Sequence, residues 1–296
     1  MGADVQSIAG MTPTGRRIAA PALDLVEVVA ESGHTNAAST AVSLLIVKQG
    51  ADGEIAWQQA FTPSPGTNCY GIGLTLDAIG NIYAIGASKG TSGGFDFVVL
   101  KYSPAGVKLW HKTLAGTANG DDIPTGVLCS PTGTNVFVTG ARSGTGGQYD
   151  YWTHCLNGTN GNTVWSTVYD YAGFNDAPAA LRFDPLGNPI VTGVSAASAL
   201  NWELATVKYS ASNGQELNAN RVSNSGIGIY LPSGLDLDGS GNMYVTGTTA
   251  TSLTEFDIKT VRINSDFPLG WQTSFDAPSP LDSAAQIKVT AAGDVY

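Results

Sequence analysis

The sequence predicts an all-β protein assembled from repeated antiparallel hairpins, and three observations support this. Strand–turn–strand segments recur at a constant spacing, most of them turn through the same Asp-x-x-Gly-Asn element, and no stretch sustains the 3.6-residue apolar period of a helix.

The recurring segments are LDAIGNIYAIGAS (76–88), SPTGTNVFVTGARS (130–143), FDPLGNPIVTGVS (183–195) and LDGSGNMYVTGTT (237–249). The glycines closing them, Gly86, Gly140, Gly193 and Gly247, are 54, 53 and 54 residues apart. A second set follows each: FDFVVLKYSPAGVKLW (95–110), YDYWTHCLNGTNGNTVW (149–165), WELATVKYSASNGQEL (202–217) and FDIKTVRINSDFPLGW (256–271). Trp57, Trp110, Trp165 and Trp271 mark its end, with Leu217 standing where a further tryptophan is due. The β-branched and aromatic runs Val136–Val138 and Met243–Val245 have strand length and are bounded by turn residues. In the turns beginning at Asp77, Asp184 and Asp238, aspartate bonds its own backbone while Gly and Asn accept the positive φ of a tight hairpin.

Two hairpins in about 54 residues make a four-stranded antiparallel sheet, the unit of a propeller blade. Such a sheet is covered only when its neighbours pack on both faces, and the tryptophans of the fourth strands are placed to fill the gaps. First hairpins are expected to begin near residues 22, 70, 122, 176, 230 and 282, and second hairpins near 3, 41, 95, 149, 202 and 256. The chain so divided opens on a second hairpin (Ala3–Ala19) and stops inside a first one, about five and a half repeats in all. The expectation is one propeller domain over 1–296 with six blades, closed by pairing the two terminal hairpins. The alternative is an open or incomplete arc of a seven-bladed or longer propeller, and the truncated last repeat suggests a piece of a longer protein.

These residues resemble the bacterial β-propeller repeat, often called the SBBP repeat. Its pattern is D-x-x-G-N-x-Y-V-T-G, then F-D-x-x-V-x-K-Y with a downstream glycine, then a tryptophan strand. Asp238–Gly247 and Phe95–Gly106 match it closely, and the resemblance runs over about residues 41–296 and more faintly over 1–40. Departures are Cys155-Leu156 in place of the Lys-Tyr pair and the missing turn motif in 20–33. The resemblance implies a secreted or surface protein of bacteria and says little about activity.

Composition narrows the function classes. The chain carries 24 acidic and 14 basic side chains, a formal charge of −10, so it lacks the clustered cations that phosphate neutralisation requires, and nucleic acid is not an expected partner. Hydrophobic residues make up 43% and charged residues 13%, which argues against disorder. No run approaches the roughly 18 apolar residues of a membrane span. Cys69, Cys129 and Cys155 match no metal or redox spacing and read as small buried hydrophobes. The N-terminus shows no signal peptide, yet sparse Lys with abundant Gly, Ser, Thr and Asn suits an extracellular or cell-surface protein whose leader lies outside this sequence.

Few residues look chemical. An aromatic–acid pair opens the third strand of four repeats: Phe95-Asp96, Tyr149-Asp150, Trp202-Glu203 and Phe256-Asp257. Repetition in every blade marks Asp96, Asp150, Glu203 and Asp257 as structural acids, expected to bond backbone amides. Asp122, Asp176 and Asp282 form a second acidic row before the innermost strands, which would ring the channel mouth and suit a Ca²⁺ ion. The G-x-S-x-G match at 90–94 lies in a Gly/Ser linker rather than a strand–helix elbow, and the histidines 34, 111 and 154 share no spacing. The leading expectation is therefore a non-catalytic binding or scaffolding propeller that takes a protein or a glycan, the latter through Tyr149, Tyr151, Trp152 or Trp202. The alternative is a metal-assisted hydrolase or lyase at the channel mouth using Asp122 and Asp176.

Overall fold

The computed structural model describes residues 16–19, 25–32, 42–64, 67–90, 93–223, 228–250, 256–276 and 282–296. Among these residues twenty strands form five four-stranded antiparallel units, the last two of which are joined into one eight-stranded sheet by a single parallel pair, Trp202 with Ile229; each unit is called a sheet below. The first holds β1 (Arg16–Ala19), β2 (Leu25–Ser32), β3 (Val42–Gln49) and β4 (Ile55–Phe61). The second holds β5 (Cys69–Leu76), β6 (Ile82–Lys89), β7 (Phe95–Tyr102) and β8 (Lys108–Leu114). The third holds β9 (Ile123–Cys129), β10 (Asn135–Ser143), β11 (Tyr149–Asn157) and β12 (Thr163–Tyr169). The fourth holds β13 (Asp176–Phe183), β14 (Pro189–Ser198), β15 (Asn201–Tyr209) and β16 (Glu216–Val222), and the fifth β17 (Ile229–Leu237), β18 (Met243–Ala250), β19 (Phe256–Ile263) and β20 (Leu269–Phe275). Each inner strand packs on the sheet before it: β5 on β1–β3, β9 on β5–β7, β13 on β9–β11 and β17 on β13–β15. The result is an all-β, propeller-like array.

Arg16–Ala19 pairs forward with Leu25–Ser32 as the inner strand of the first sheet, so the first hairpin starts at residue 16 rather than near 22. The remainder of the expected Ala3–Ala19 hairpin lies outside the described residues. Residues 282–296 begin a sixth unit. Val289 bridges Val295, Ile287 is buried, and the Gly239 amide on the turn after β17 donates to the Ala291 carbonyl. Among the described residues no pairing joins this hairpin to the first sheet, so the closed six-bladed ring is not seen in the strand pairing.

The turn chemistry follows the sequence. Asp77 Oδ1 accepts from the Asn81 amide at 2.8 Å and Oδ2 from the Asn81 side chain at 2.7 Å, and Asp184 and Asp238 do the same with Asn188 and Asn242. Gly86, Gly140, Gly193 and Gly247 sit opposite a register shift in the inner strand, where a Cβ would strike the carbonyl of Tyr70, Ile123, Ala177 or Leu231. The repeat glycine is thus required by the bulge that bends each inner strand.

The seams between sheets are latched by side chains. Lys48 faces Trp57 across β3 and β4, and both donate to the Pro104 carbonyl in the next sheet, at 3.4 and 3.1 Å. Lys101 and Trp110 repeat this on Gly158, at 2.7 and 3.1 Å. At the third seam Cys155 replaces the lysine and Trp165 alone donates, to Ala211 at 3.0 Å. At the fourth, Lys208 reaches Ser265 at 3.5 Å. The residue opposite Lys208 is Asn218, so Asn218 and not Leu217 occupies the tryptophan position. Each indole lies under the glycine of the turn it grips (Gly106, Gly161 or Gly214), whose φ of 80°, 73° and 73° lies in the left-handed region that favours glycine.

Trp165 is 8% exposed, whereas Trp271 on β20 is 40% exposed with no described turn above it. Trp165→Ala is expected to cost about 3–5 kcal/mol, and Trp271→Ala about 1 kcal/mol or less, in urea unfolding followed by circular dichroism. Equal losses would mean that the indoles do not stabilise through the seam.

Candidate functional site

A cavity of about 610 Å³ runs along the inner strands, lined by Leu74, Val127, Leu181, Leu235 and Ile287 together with small polar residues such as Thr125. Asp122, Asp176 and Asp282 do not line it. Asp122 accepts from the Gly116 and Ser143 amides, and Asp176 Oδ2 from the Tyr171 amide at 2.7 Å. The Asp282 amide donates to the Phe256 carbonyl. The Asp122 and Asp176 carboxylates, expected to ring the channel, therefore tie down the loops that enter their inner strands. Among the described residues the three are not brought together.

The glycan-contact residues divide as well. Tyr149 and Trp202 are half-buried, but Tyr151 is 0% and Trp152 7% exposed. Tyr151 and Trp152 cannot meet a ligand, because β11 is an interior strand whose two faces are both covered by neighbouring sheets. The structural acids depart from expectation too. Asp150 pairs with Arg142 at 3.2 Å and Glu203 with Arg221 at 2.8 Å, so arginines rather than backbone amides partner these two.

Those two arginines mark where the repeat symmetry breaks. The position cross-strand from the third-strand acid is Ser88, Arg142, Ser195 and Thr249 in successive sheets. Arg221 lies three residues past the tryptophan position, where the other sheets carry Ala60, Thr113, Val168 and Ser274. Arg221 lies at the rim between the third and fourth sheets, whereas Arg142 lies over Trp152 on the face of the third sheet that packs on the second and meets that rim through Asp150. A comparison of repeats position by position contains this signal, while motif searching passes over it.

Arg221 is saturated there. Its Nε donates to Glu203 at 3.0 Å, Nη1 to the Tyr169 hydroxyl at 2.9 Å and to the Ser195 hydroxyl, and Nη2 to the Ser195 carbonyl at 3.1 Å. Burial works against its charge, but Tyr169 and Glu203 outweigh burial and keep it above the ordinary arginine value. The guanidinium carbon lies 3.5 Å from the centre of the Tyr171 ring. Tyr171 and Phe174 nevertheless stay 40% and 37% exposed on the loop between β12 and β13, where Ala172 takes a φ of 59°.

Beside this stack, Asp150, Asp170 and Asp176 each bring one carboxylate oxygen within 4.8 Å of the others. Asp170 is exposed, and the other two are buried. Burial pushes the Asp176 carboxyl up to about 6, against the Ser195 hydroxyl, the Tyr171 amide and Arg221, and the Asp170 charge pushes the same way. Asp150 is raised by burial and by Asp170, with Arg142 opposing.

No protein-family profile matches the chain, and no curated protein matches it either. Solved structures do. The polysaccharide lyase Uly1 aligns at a TM-score of 0.60 and 9% identity over 99% of this chain and 77% of that one. An ulvan lyase of a polysaccharide lyase family aligns at 0.54 and 10% identity, covering 94% and 72%. The α-L-arabinanase of Penicillium chrysogenum aligns at 0.52 and 12% identity, covering 96% and 86%. At such identities the likeness shows a shared propeller-like architecture.

The histidines are not part of this site. His34 lies outside the described residues, and His111 packs on Phe61 at 5.1 Å. His154 is 3% exposed with neither ring nitrogen hydrogen-bonded, at the position where the neighbouring sheets carry Leu100, Val207 and Val261. Burial first, then Arg142 and Lys112, lower it from 6.5 to about 3. Between those values the unfolded chain binds a proton that the folded chain does not, so this group removes stability as pH falls, by about 1.4 kcal/mol per pH unit at most. Asp176 acts in the opposite direction between 3.8 and about 6, which partly masks the effect in the parent protein. The expected result is that His154→Val is more stable than the parent at neutral pH, with the gap widening from pH 6.5 to 4 in urea titrations. A gap independent of pH would show that His154 is not held neutral.

Proposed function

We propose that this protein is a non-catalytic, glycan-binding propeller that takes its ligand on the rim between the third and fourth sheets. The observation that carries this reading is Tyr171. Its ring is fixed in place by Arg221 yet stays 40% exposed, beside exposed Phe174 and the exposed carboxylate of Asp170. A rigid aromatic face suits the C–H face of a sugar ring, and an adjacent carboxylate accepts from its hydroxyls. The half-buried Tyr149 and Trp202 open neighbouring third strands and extend the same rim. The SBBP-like repeats support an exported or surface-attached bacterial protein as the setting, with a protein ligand as the other class of partner.

A second reading, a hydrolase or lyase, draws support from the fold shared with polysaccharide-acting enzymes and from a raised carboxyl, Asp176, close to an exposed one, Asp170. Against it, Asp176 is 0% exposed, and Asp122 does not join it.

Immobilised polysaccharides are expected to retain the protein from at least one sugar class, and Tyr171→Ala should weaken that binding on the order of tenfold, or about 1.4 kcal/mol. No retention across a broad panel would overturn the proposal. Release of reducing ends or unsaturated products from the retained polysaccharide would replace it with the enzymatic reading.

A further inference from the structure

We propose that Asp150, Asp170 and Asp176 form a binding site for a divalent cation of the calcium class. The site goes beyond the glycan reading and does not depend on it.

Two independent observations support it. One is the convergence of three carboxylates, contributed by the start of β11, the loop that follows β12 and the start of β13, each with an oxygen within 4.8 Å of the others. Calcium takes oxygens at 2.3–2.6 Å, so two ligands on its sphere are at most about 5 Å apart, and this spacing fits without rearrangement. The other is Asp176 itself. It is 0% exposed, and although the Ser195 hydroxyl is near enough to oppose the rise of its carboxyl, its Oδ1 accepts no hydrogen bond of normal geometry. A buried carboxylate oxygen left without a donor is costly, and a bound cation supplies what is missing.

The local bonds leave room for the ion. Each acid commits one oxygen to the protein: Asp150 Oδ2 to Arg142 at 3.2 Å, Asp170 Oδ1 to the Gly173 amide at 3.1 Å, and Asp176 Oδ2 to the Tyr171 amide at 2.7 Å. The second oxygen of each would serve the cation. Charge points the same way. Four carboxylates, Asp150, Asp170, Asp176 and Glu203, face two guanidinium groups, Arg142 on Asp150 and Arg221 on Glu203 and, from further off, Asp176. The chain as a whole carries −10, which raises the local concentration of cations. Asp170, the exposed member, leaves an open side where water completes the shell. Bound there, the ion would also fasten the 170–175 loop that carries Tyr171 and Phe174 to the rims of both sheets.

The test is calorimetric titration of chelator-stripped protein with calcium chloride alone, with no glycan present. The parent is expected to bind one ion per chain, Asp170→Asn to bind at least about tenfold more weakly, and Asp294→Asn, an acid in the 282–296 hairpin, to bind as the parent does. Asp170 is at the surface, so its variant should keep the parent's circular dichroism spectrum, and it carries the test if Asp176→Asn fails to fold. Absence of binding at millimolar calcium, or unchanged binding by Asp170→Asn, overturns the site. Because calcium is the probe, failure of glycan retention leaves this result standing, and the reverse also holds.

Discussion

A single backbone carbonyl in the turn between the third and fourth strands of the second to fifth sheets receives one or two side chains of the sheet before it, and the array depends on that contact. A four-stranded sheet has two apolar faces and no means of covering both. The indole and lysine donors of one sheet satisfy the carbonyl of the next, the flat indole fills the space under a glycine turn, and the core between the sheets then packs at fixed register. Pro104 and Gly158 receive both donors, while Ala211 and Ser265 receive one each. Where a donor is missing, other contacts appear: Asn220 donates to the Phe267 carbonyl at 2.8 Å across the seam that lacks a tryptophan.

A scaffold built by repetition shows its specialised region as a loss of symmetry. Most repeat positions are occupied alike in every sheet and need only packing to explain them. Arg142 and Arg221 stand where their counterparts are small; Arg221 lies at one junction with Tyr169 and Tyr171, and Arg142 is tied to the Asp170 and Asp176 cluster there through Asp150. Buried charge is tolerated there because it is paired: Glu203 and Asp150 each meet a guanidinium rather than remaining alone in a low-dielectric seam. Asp176 is the exception, with one oxygen unmatched, and burial raises its carboxyl.

The repeat, the hairpin turns and the buried cysteines were legible in the sequence because each depends on neighbours close in the chain or on a fixed period. Asp77 with Asn81 is a local device, and structure and sequence agree on it. Exposure was not legible. Tyr151 and Trp152 look like contact residues beside a loop, yet they sit in an interior strand where alternation exposes neither face. The row of Asp122, Asp176 and Asp282 was visible as a row, but nothing local shows whether a carboxylate faces a channel or turns back on its own loop. Asn218 was missed as the tryptophan position because a register shift in β15–β16 moves the count by one.

By itself the sequence determined the period, the strand and turn content and the four-stranded unit, since these follow from short-range backbone preferences repeated about every 54 residues. Only the tertiary structure decided which side chains meet. Asp150, Asp170 and Asp176 come from two different sheets and the loop between them, and Arg221 reaches Tyr169 across 52 positions. Such meetings depend on how sheets stack and where their inner strands bulge, and no local pattern encodes that geometry.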